Sequence, residues 1–509
     1  MRTVLFLLLL SLAAISCRQE PKPRFLASAK QDCQIDSVAL AWFFAKHPLL
    51  ADHRADVIDF YREKSSCAWF AGGRLTEQAH VLYTRLLELD QEGLPAEIPY
   101  RAQLETTMAR SAPEPNSEML LTALYYYYTC LIYGGLDHDR TMATGWFIPR
   151  QRSSYPRHID SVLQTTGRKV FFDQYYHLQA ALRKYRRTEK EGGWPAIAMP
   201  AGVTAVRPGD SSAIVPMVRR RLSGEGFKAE GSGEILDGQL ADAIAGYLER
   251  NQRQPGRSIT PRLLSMLNVP VSERIRTISL NMERCRWIDP KLARAQEYIA
   301  VNIPSYRLLY FRNGKPYFSS RVVVGKELSQ TVVFSGELSY ITFSPYWNVP
   351  KSILQNEILP AIKKDPGYLQ KHNMEWNGKN VRQRPGPDNS LGLVKFMFPN
   401  SNNIYLHDTP AKSLFSKEER AFSHGCVRVE RARELALEIT ARDGSWTPEM
   451  VDEAMARGVE NNYVLKKKIP VYIAYFTAWA DSEGNVAFFD DIYKRDPALS
   501  EMLFRESGH

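Results

Sequence analysis

From about residue 35 to 190, apolar residues recur at three- and four-residue spacing, as in Val38 to Phe44, Ala79 to Leu89 and Leu120 to Tyr133. That period predicts helices, each burying one stripe. The run Tyr125 to Tyr128 reads as a helix with two buried faces rather than an aromatic ligand box. Gly192-Gly193-Trp194-Pro195 breaks the pattern, and Arg207-Pro208-Gly209-Asp210 follows. Three short helices are then predicted at Ile214 to Leu222, Gln239 to Gln252 and Thr260 to Asn268. Beyond residue 290 the period drops to two. Ser305 to Arg312, Asn313-Gly314 and Tyr317 to Val324 read as a hairpin, because an Asn-Gly pair accepts the positive φ of a type I′ turn. Further strands are expected at Leu338 to Phe343, Asn403 to His407, Val471 to Ala478 and Asn485 to Phe489. Residues 351–390 fit neither pattern. They open helically, then turn polar and turn-rich up to Arg384-Pro385-Gly386-Pro387-Asp388-Asn389, and an insertion of that length points to a lid.

A chain of 509 residues is too long for one ordinary core and implies two to four domains. With 44% apolar and 24% charged residues, it has the balance of a soluble globular protein. Lys plus Arg exceed Asp plus Glu by 66 to 56, a formal charge of +10. The plain reading is a solvated basic surface; the sharper one is attraction to a polyanion. No nucleic-acid-binding motif is present, which argues against nucleic acid as partner. An anionic cell wall suits the charge equally well.

Met1-Arg2, the apolar run from Val4 to Ile15 and the closing Ser16-Cys17 have the form of an export signal too short to span a bilayer. Cys17 after Ala14-Ile15-Ser16 resembles a bacterial lipobox, which implies a lipidated Cys17 and a membrane tether. Of the other five cysteines, Cys33 and Cys67 form a possible pair, Cys130 and Cys285 read as inert thiols, and none has metal-ligand spacing.

Reactive groups concentrate in two pieces, Ile404 to Thr409 at a strand end and Ser423-His424-Gly425-Cys426-Val427-Arg428. A thiol attacks as thiolate, so an imidazole that accepts its proton and amides at a turn before a helix would activate Cys426. Gly425 permits the tight turn, and the amides of His424, Gly425 and Cys426 are candidate oxyanion donors.

Together the two pieces resemble the L,D-transpeptidase catalytic domain, in which a histidine motif precedes Ser-His-Gly-Cys-[Val/Ile]-Arg by some twenty residues. Every position of the second motif is met. The first has Asp408 where Gly is commoner, a change found in a large, lid-bearing subgroup that also shares Pro345-Tyr346-Trp347-Asn348-Val349-Pro350 and Phe398-Pro399-Asn400. The three short helices, ending in Thr-Pro-x-x-Leu-x-x-Leu-Asn, resemble a peptidoglycan-binding domain. There Tyr247 and Gln252 replace its Phe and His, and its Asp-Gly turn is missing.

The resemblance implies a multidomain α+β chain: signal 1–17, tether 18–30, helical scaffold 31–195, binding-like module 200–270, mainly β catalytic domain 290–480 with the capping insertion 351–390, and extension 481–509. It implies that Cys426 is the nucleophile, His407 the base and the Asp408 backbone carbonyl the orienter of the His407 ring. Ser423, Arg428, Tyr405 and Trp347 are candidate substrate contacts. No metal or cofactor is implied. The partners are peptidoglycan stem peptides, linked 3→3, in the periplasm or cell envelope, and the enzyme would be a carbapenem target. The alternatives are an L,D-carboxypeptidase or wall amidase on the same fold, or a non-catalytic wall-binding lipoprotein. A papain-like protease is excluded by motif order, since its cysteine precedes its histidine.

Overall fold

A computed structural model describes residues 35–63, 67–110, 113–136, 138–148, 171–289 and 295–504. The expected signal, the tether, Cys17 and Cys33 lie outside them. Cys67 is disulfide-bonded, and its expected pairing with Cys33 therefore falls outside the described residues. By contacts the chain divides into two compact units, Met1–His80 with Pro99–Leu124, and Val81–Ile98 with Tyr125–His509.

The first unit holds short helices such as Ser37–Lys46, Arg54–Glu63 and Arg101–Arg110 and a hairpin of β1 (Phe70–Ala71) and β2 (Arg74–Leu75). Its centre is polar as well as apolar. The buried Glu118 carboxylate accepts the amides of Ala68 at 2.6 Å and Trp69 at 3.1 Å, and the Trp69 indole donates to Thr122 at 2.8 Å. A buried carboxylate persists only when its lone pairs are so filled.

In the second unit, helix Asp173–Lys190 buries Tyr175, Leu178, Ala181, Leu182 and Tyr185, one helical stripe, and packs on helix Val271–Arg286. The three predicted short helices form at Val215–Gly224, Gly238–Arg250 and Pro261–Leu267, around a core of their own that contains Leu222, Ile244, Tyr247 and Leu264. Thr260 caps the third helix, accepting Leu263 N–H at 3.2 Å, and Pro261 opens it.

The β region holds β3 (Tyr298–Asn302), β4 (Arg307–Arg312), β5 (Lys315–Gly325), β6 (Phe334–Phe343), β10 (Val394–Met397), β11 (Leu406–His407), β12 (Ala421–Ser423), β13 (Val427–Val429) and β14 (Asn461–Ala474). They pair in the order β12-β5-β13-β11-β10-β6-β14-β3-β4, and β4 also pairs with β5, which closes the ladder on itself. The predicted β4–β5 hairpin turns through Asn313 (φ 49°) and Gly314 (φ 70°).

Three expectations needed correction. The strand expected from Asn403 shrinks to Leu406–His407, because Asn403 sits at φ 51° and the Asn400 side chain holds Ile404 across the turn, accepting its N–H and donating to its carbonyl oxygen. The strand expected to end at Ala478 is Asn461–Ala474, and a separate hairpin of β15 (Ala478–Ala480) and β16 (Val486–Phe488) follows. The polar half of the insertion is not irregular. Its β8 (Met374–Asn377) and β9 (Asn380–Gln383) pair with each other, and β9 with β7 (Trp347–Asn348). Helical turns between Lys351 and Lys371 complete an insertion whose own core includes Val349, Ile353, Leu354, Ile358, Met374 and Val381.

Candidate active site

β11 runs parallel to β13, with Leu406 beside Val427 and His407 beside Arg428. Leu406 and Val427 are fully buried, so their neighbours along each strand face the other way. One step back, Val427 N–H donates to Tyr405 O at 3.2 Å, which sets Tyr405 beside Cys426. On the other side, β10 brings Lys395 opposite His407. Strand alternation thus gathers Lys395, Tyr405, His407, Cys426 and Arg428 on one face. Side-chain contacts agree: the Tyr405 and His407 rings lie edge to face at 5.7 Å, and Lys395 Nζ sits 3.8 Å from the Tyr405 ring centroid.

His407 is buried, and its Nδ1 lies 2.5 Å from the carbonyl oxygen of Asp408. A carbonyl only accepts, so Nδ1 carries the hydrogen and Nε2 keeps the free lone pair. The Asp408 carboxylate is used otherwise: it accepts Leu393 N–H at 3.0 Å and pairs with Lys412 Nζ at 2.5 Å. Gly392 (φ 62°) faces it so closely that a Cβ there would lie 2.3 Å from Asp408 Oδ2. Burial, then the Arg428 charge and, less, that of Lys395 push the His407 pKa down to about 3, against the opposing pull of the Asp408 and Leu391 carbonyls. The imidazole is neutral at physiological pH.

Cys426 differs from expectation. Burial raises its pKa; hydrogen bonds from the Tyr405 backbone and hydroxyl, and the charges of Lys395 and Arg428, offset only part of that. The motif does not lead straight into a helix: β13 follows Cys426, and the helix begins at Ala432, too far away for its dipole to act. The resting group is a thiol. Its sulfur lies 3.8 Å from Asn403 O, and among the described residues no hydrogen bond joins it to the His407 ring.

The loop before β13 is held from below. Ser423 Oγ donates to Cys426 O at 2.6 Å and accepts Gly425 N–H at 3.2 Å. Gly425 takes φ 115°, a conformation that L side chains rarely adopt. Its amide is therefore engaged, leaving the N–H groups of His424 and Cys426, which donate to no described residue, as the donors available to an oxyanion. Thr331 Oγ1 donates to Gly425 O at 2.8 Å and accepts Gly325 N–H at 2.9 Å. The Tyr493 hydroxyl in turn donates to Gly325 O at 2.6 Å and accepts Thr331 N–H at 3.1 Å.

His424 turns to the insertion. Its Nε2 lies 3.0 Å from Glu357 Oε1 on the insertion. Trp347 is partly buried and packs against the insertion core. Arg428 makes no ion pair among the described residues, and its buried Nε has no partner. Sequence reasoning missed Lys395, Thr331 and Tyr493. Only Lys395 left a signal, as a polar residue within the apolar run Val394 to Phe398.

Residues 296–458 match the family model of the L,D-transpeptidase catalytic domain, and residues 55–190 that of the Scaffold domain. A Haemophilus influenzae protein provisionally named L,D-transpeptidase is 36% identical over 223 residues, 40% of this chain and 45% of the relative. The chain thus spans less than half the length of that curated relative. Among solved structures, Mycobacterium tuberculosis L,D-transpeptidase 1 is 11% identical, with 35% of this chain and 61% of that one covered and a TM-score of 0.17. A cysteine-to-serine variant of Enterococcus faecium L,D-transpeptidase is 9% identical, with 58% and 99% covered and a TM-score of 0.17. At such scores these two overlaps bear no weight.

Proposed function

Starting from a chain that carries an L,D-transpeptidase catalytic domain, we propose that it cross-links peptidoglycan stem peptides 3→3 through a thioester on Cys426. The observation that carries this reading is the shared face of Cys426 and His407, with Nδ1 of the imidazole fixed on a carbonyl so that Nε2 is the free base.

Rotation about the Cys426 Cα–Cβ bond turns the sulfur from Asn403 O toward His407. As sulfur attacks the carbonyl carbon of the donor's third residue, the thiol proton passes to Nε2. Both groups rest neutral, so proton transfer and attack proceed together. The oxyanion is held by the amides of His424 and Cys426. When the C–N bond breaks, Nε2 returns the proton to the leaving D-alanine amine. The side-chain amine of a diamino acid in a second stem then attacks the thioester, gives a proton to Nε2 and displaces sulfur, which is reprotonated.

Water in place of that amine would give L,D-carboxypeptidase activity. The insertion, placed over the loop by Glu357 and His424, excludes water and favours the amine. The Cys67 disulfide fits an oxidising compartment, and with the export-like first residues it supports a cell-envelope location; a tether through Cys17 and wall contact through the helical module belong to the same proposal.

Incubation with purified disaccharide-tetrapeptide, read by mass spectrometry, should yield dimers that Cys426→Ala abolishes. A carbapenem should add one acyl group at Cys426. Dimers of undiminished yield from the Cys426→Ala protein would overturn the proposal.

A further inference from the structure

Two cations border the sulfur, and among the described residues neither is held in an ion pair. Lys395 and Arg428 stand on either side of His407 across β10, β11 and β13. Among the described residues neither side chain makes a hydrogen bond or ion pair. Lys395 rests only against the Tyr405 ring at 3.8 Å, and Arg428 Nε is buried without a partner. The nearby carboxylate that attracts Lys395, Glu460, is engaged by the Tyr346 amide at 2.8 Å. Burial lowers the pKa of both cations. Withdrawing charge from water without a partner costs free energy, and both side chains are half-buried rather than sealed, so a ligand can reach them.

We infer that Lys395 and Arg428 form a carboxylate seat beside Cys426, and that it receives the terminal carboxylate of the residue expelled from the donor. This rests on the reading above. In a donor whose fourth residue is the last, the terminal carboxylate carbon lies three bonds from the attacked carbonyl carbon, a span of about 4 Å. Neighbouring strands are about 4.8 Å apart, so a peptide whose carbonyl meets the sulfur brings that carboxylate to the cations flanking it. Arg428 offers a planar fork and Lys395 a point charge. A donor extended by a further residue, or amidated at its end, would put a neutral group there. The seat therefore selects stems that end at residue four, and Lys395 acts as a specificity-determining residue.

The test is anion preference at one sulfur. Peptide mass spectrometry follows alkylation of Cys426 by iodoacetate and by iodoacetamide in the full chain at neutral pH, for the wild type, Lys395→Met and Lys395→Arg. Both reagents attack the same thiolate, so any change in thiol ionisation cancels in the ratio of rates. Lys395→Met should lower the iodoacetate-to-iodoacetamide ratio about fivefold, the size of one unit-charge attraction across about 4 Å of water, and Lys395→Arg should restore it. An unchanged ratio overturns the seat whatever the enzyme's reaction. A second arm compares a tetrapeptide donor bearing a free terminus with its terminal amide. The wild type should prefer the acid, and Lys395→Met should lose that preference through KM rather than kcat. Equal use of acid and amide by the wild type overturns the assignment to the expelled residue. No product from either donor sinks the transpeptidase reading, and the alkylation ratio still decides whether the seat exists.

Discussion

Thr331 holds Gly425 by its carbonyl, with Oγ1 donating at 2.8 Å while the same oxygen accepts Gly325 N–H at 2.9 Å. One hydroxyl thus ties the end of β5 to the residue before Cys426. Thr331→Val keeps the shape and removes both bonds, leaving a buried carbonyl and a buried amide unpaired, at a cost of about 1–3 kcal/mol each. Acylation of Cys426 by a carbapenem should slow in Thr331→Val and recover in Thr331→Ser. Equal acylation rates in all three proteins would show that the loop holds its form without Thr331.

The depressed pKa of His407 makes stability depend on pH. The imidazole titrates near 6.5 when exposed and at about 3 when folded. Between those values the unfolded chain binds a proton that the folded one refuses. Stability is therefore lost as pH falls, by about 1.4 kcal/mol for each pH unit below about 6.5. The melting transition of the catalytic domain should drop further between pH 7 and pH 5 in the wild type than in His407→Gln. Parallel drops would mean that His407 is solvated.

Gly392 and Asp408 leave no room between them. Gly392→Ala puts a methyl group where Asp408 Oδ2 now sits, at a residue with φ 62°. The carboxylate must move, and with it the carbonyl that orients His407. We expect loss of acylation by ten- to a hundredfold, the range for a displaced orienting group, with Cys426 still alkylated by iodoacetamide. Wild-type acylation would mean that the His407 ring is fixed from elsewhere.

The insertion should govern the fate of the thioester more than its formation. The His424–Glu357 pair is about half exposed on both sides, and such pairs contribute about 0–1 kcal/mol. Glu357→Gln should leave acylation within about fivefold. Replacing residues 351–390 by a short Gly-Ser linker should keep carbapenem acylation but raise hydrolysed tripeptide relative to dimer. An unaltered ratio in a protein that still acylates would remove the insertion from acceptor choice.

The period of apolar residues revealed the helices, the hairpin at Asn313-Gly314 and the three-helix module, because each buries one regular stripe. The motif pair located Cys426 and His407, but periodicity misplaced the strand that carries the histidine. Asn400 folds the chain into a turn through side-chain bonds, and side-chain bonds leave no trace in a hydropathy pattern. The strand from Asn461 escaped notice because Lys466-Lys467-Lys468 fill a shift in its pairing with β6, between Val464 and Ile469. Lys395 was passed over for a similar reason: only the register of β10 against β11 brings it to the site. The protonation state of the sulfur was also invisible, since burial that outweighs two nearby cations is a property of the packed fold.

A sulfur kept protonated until a peptide arrives is also a sulfur that peroxides and stray disulfides attack slowly, because oxidants, like carbonyls, need the anion. By burying Cys426 instead of ionising it beforehand, the fold shields that thiol from oxidation.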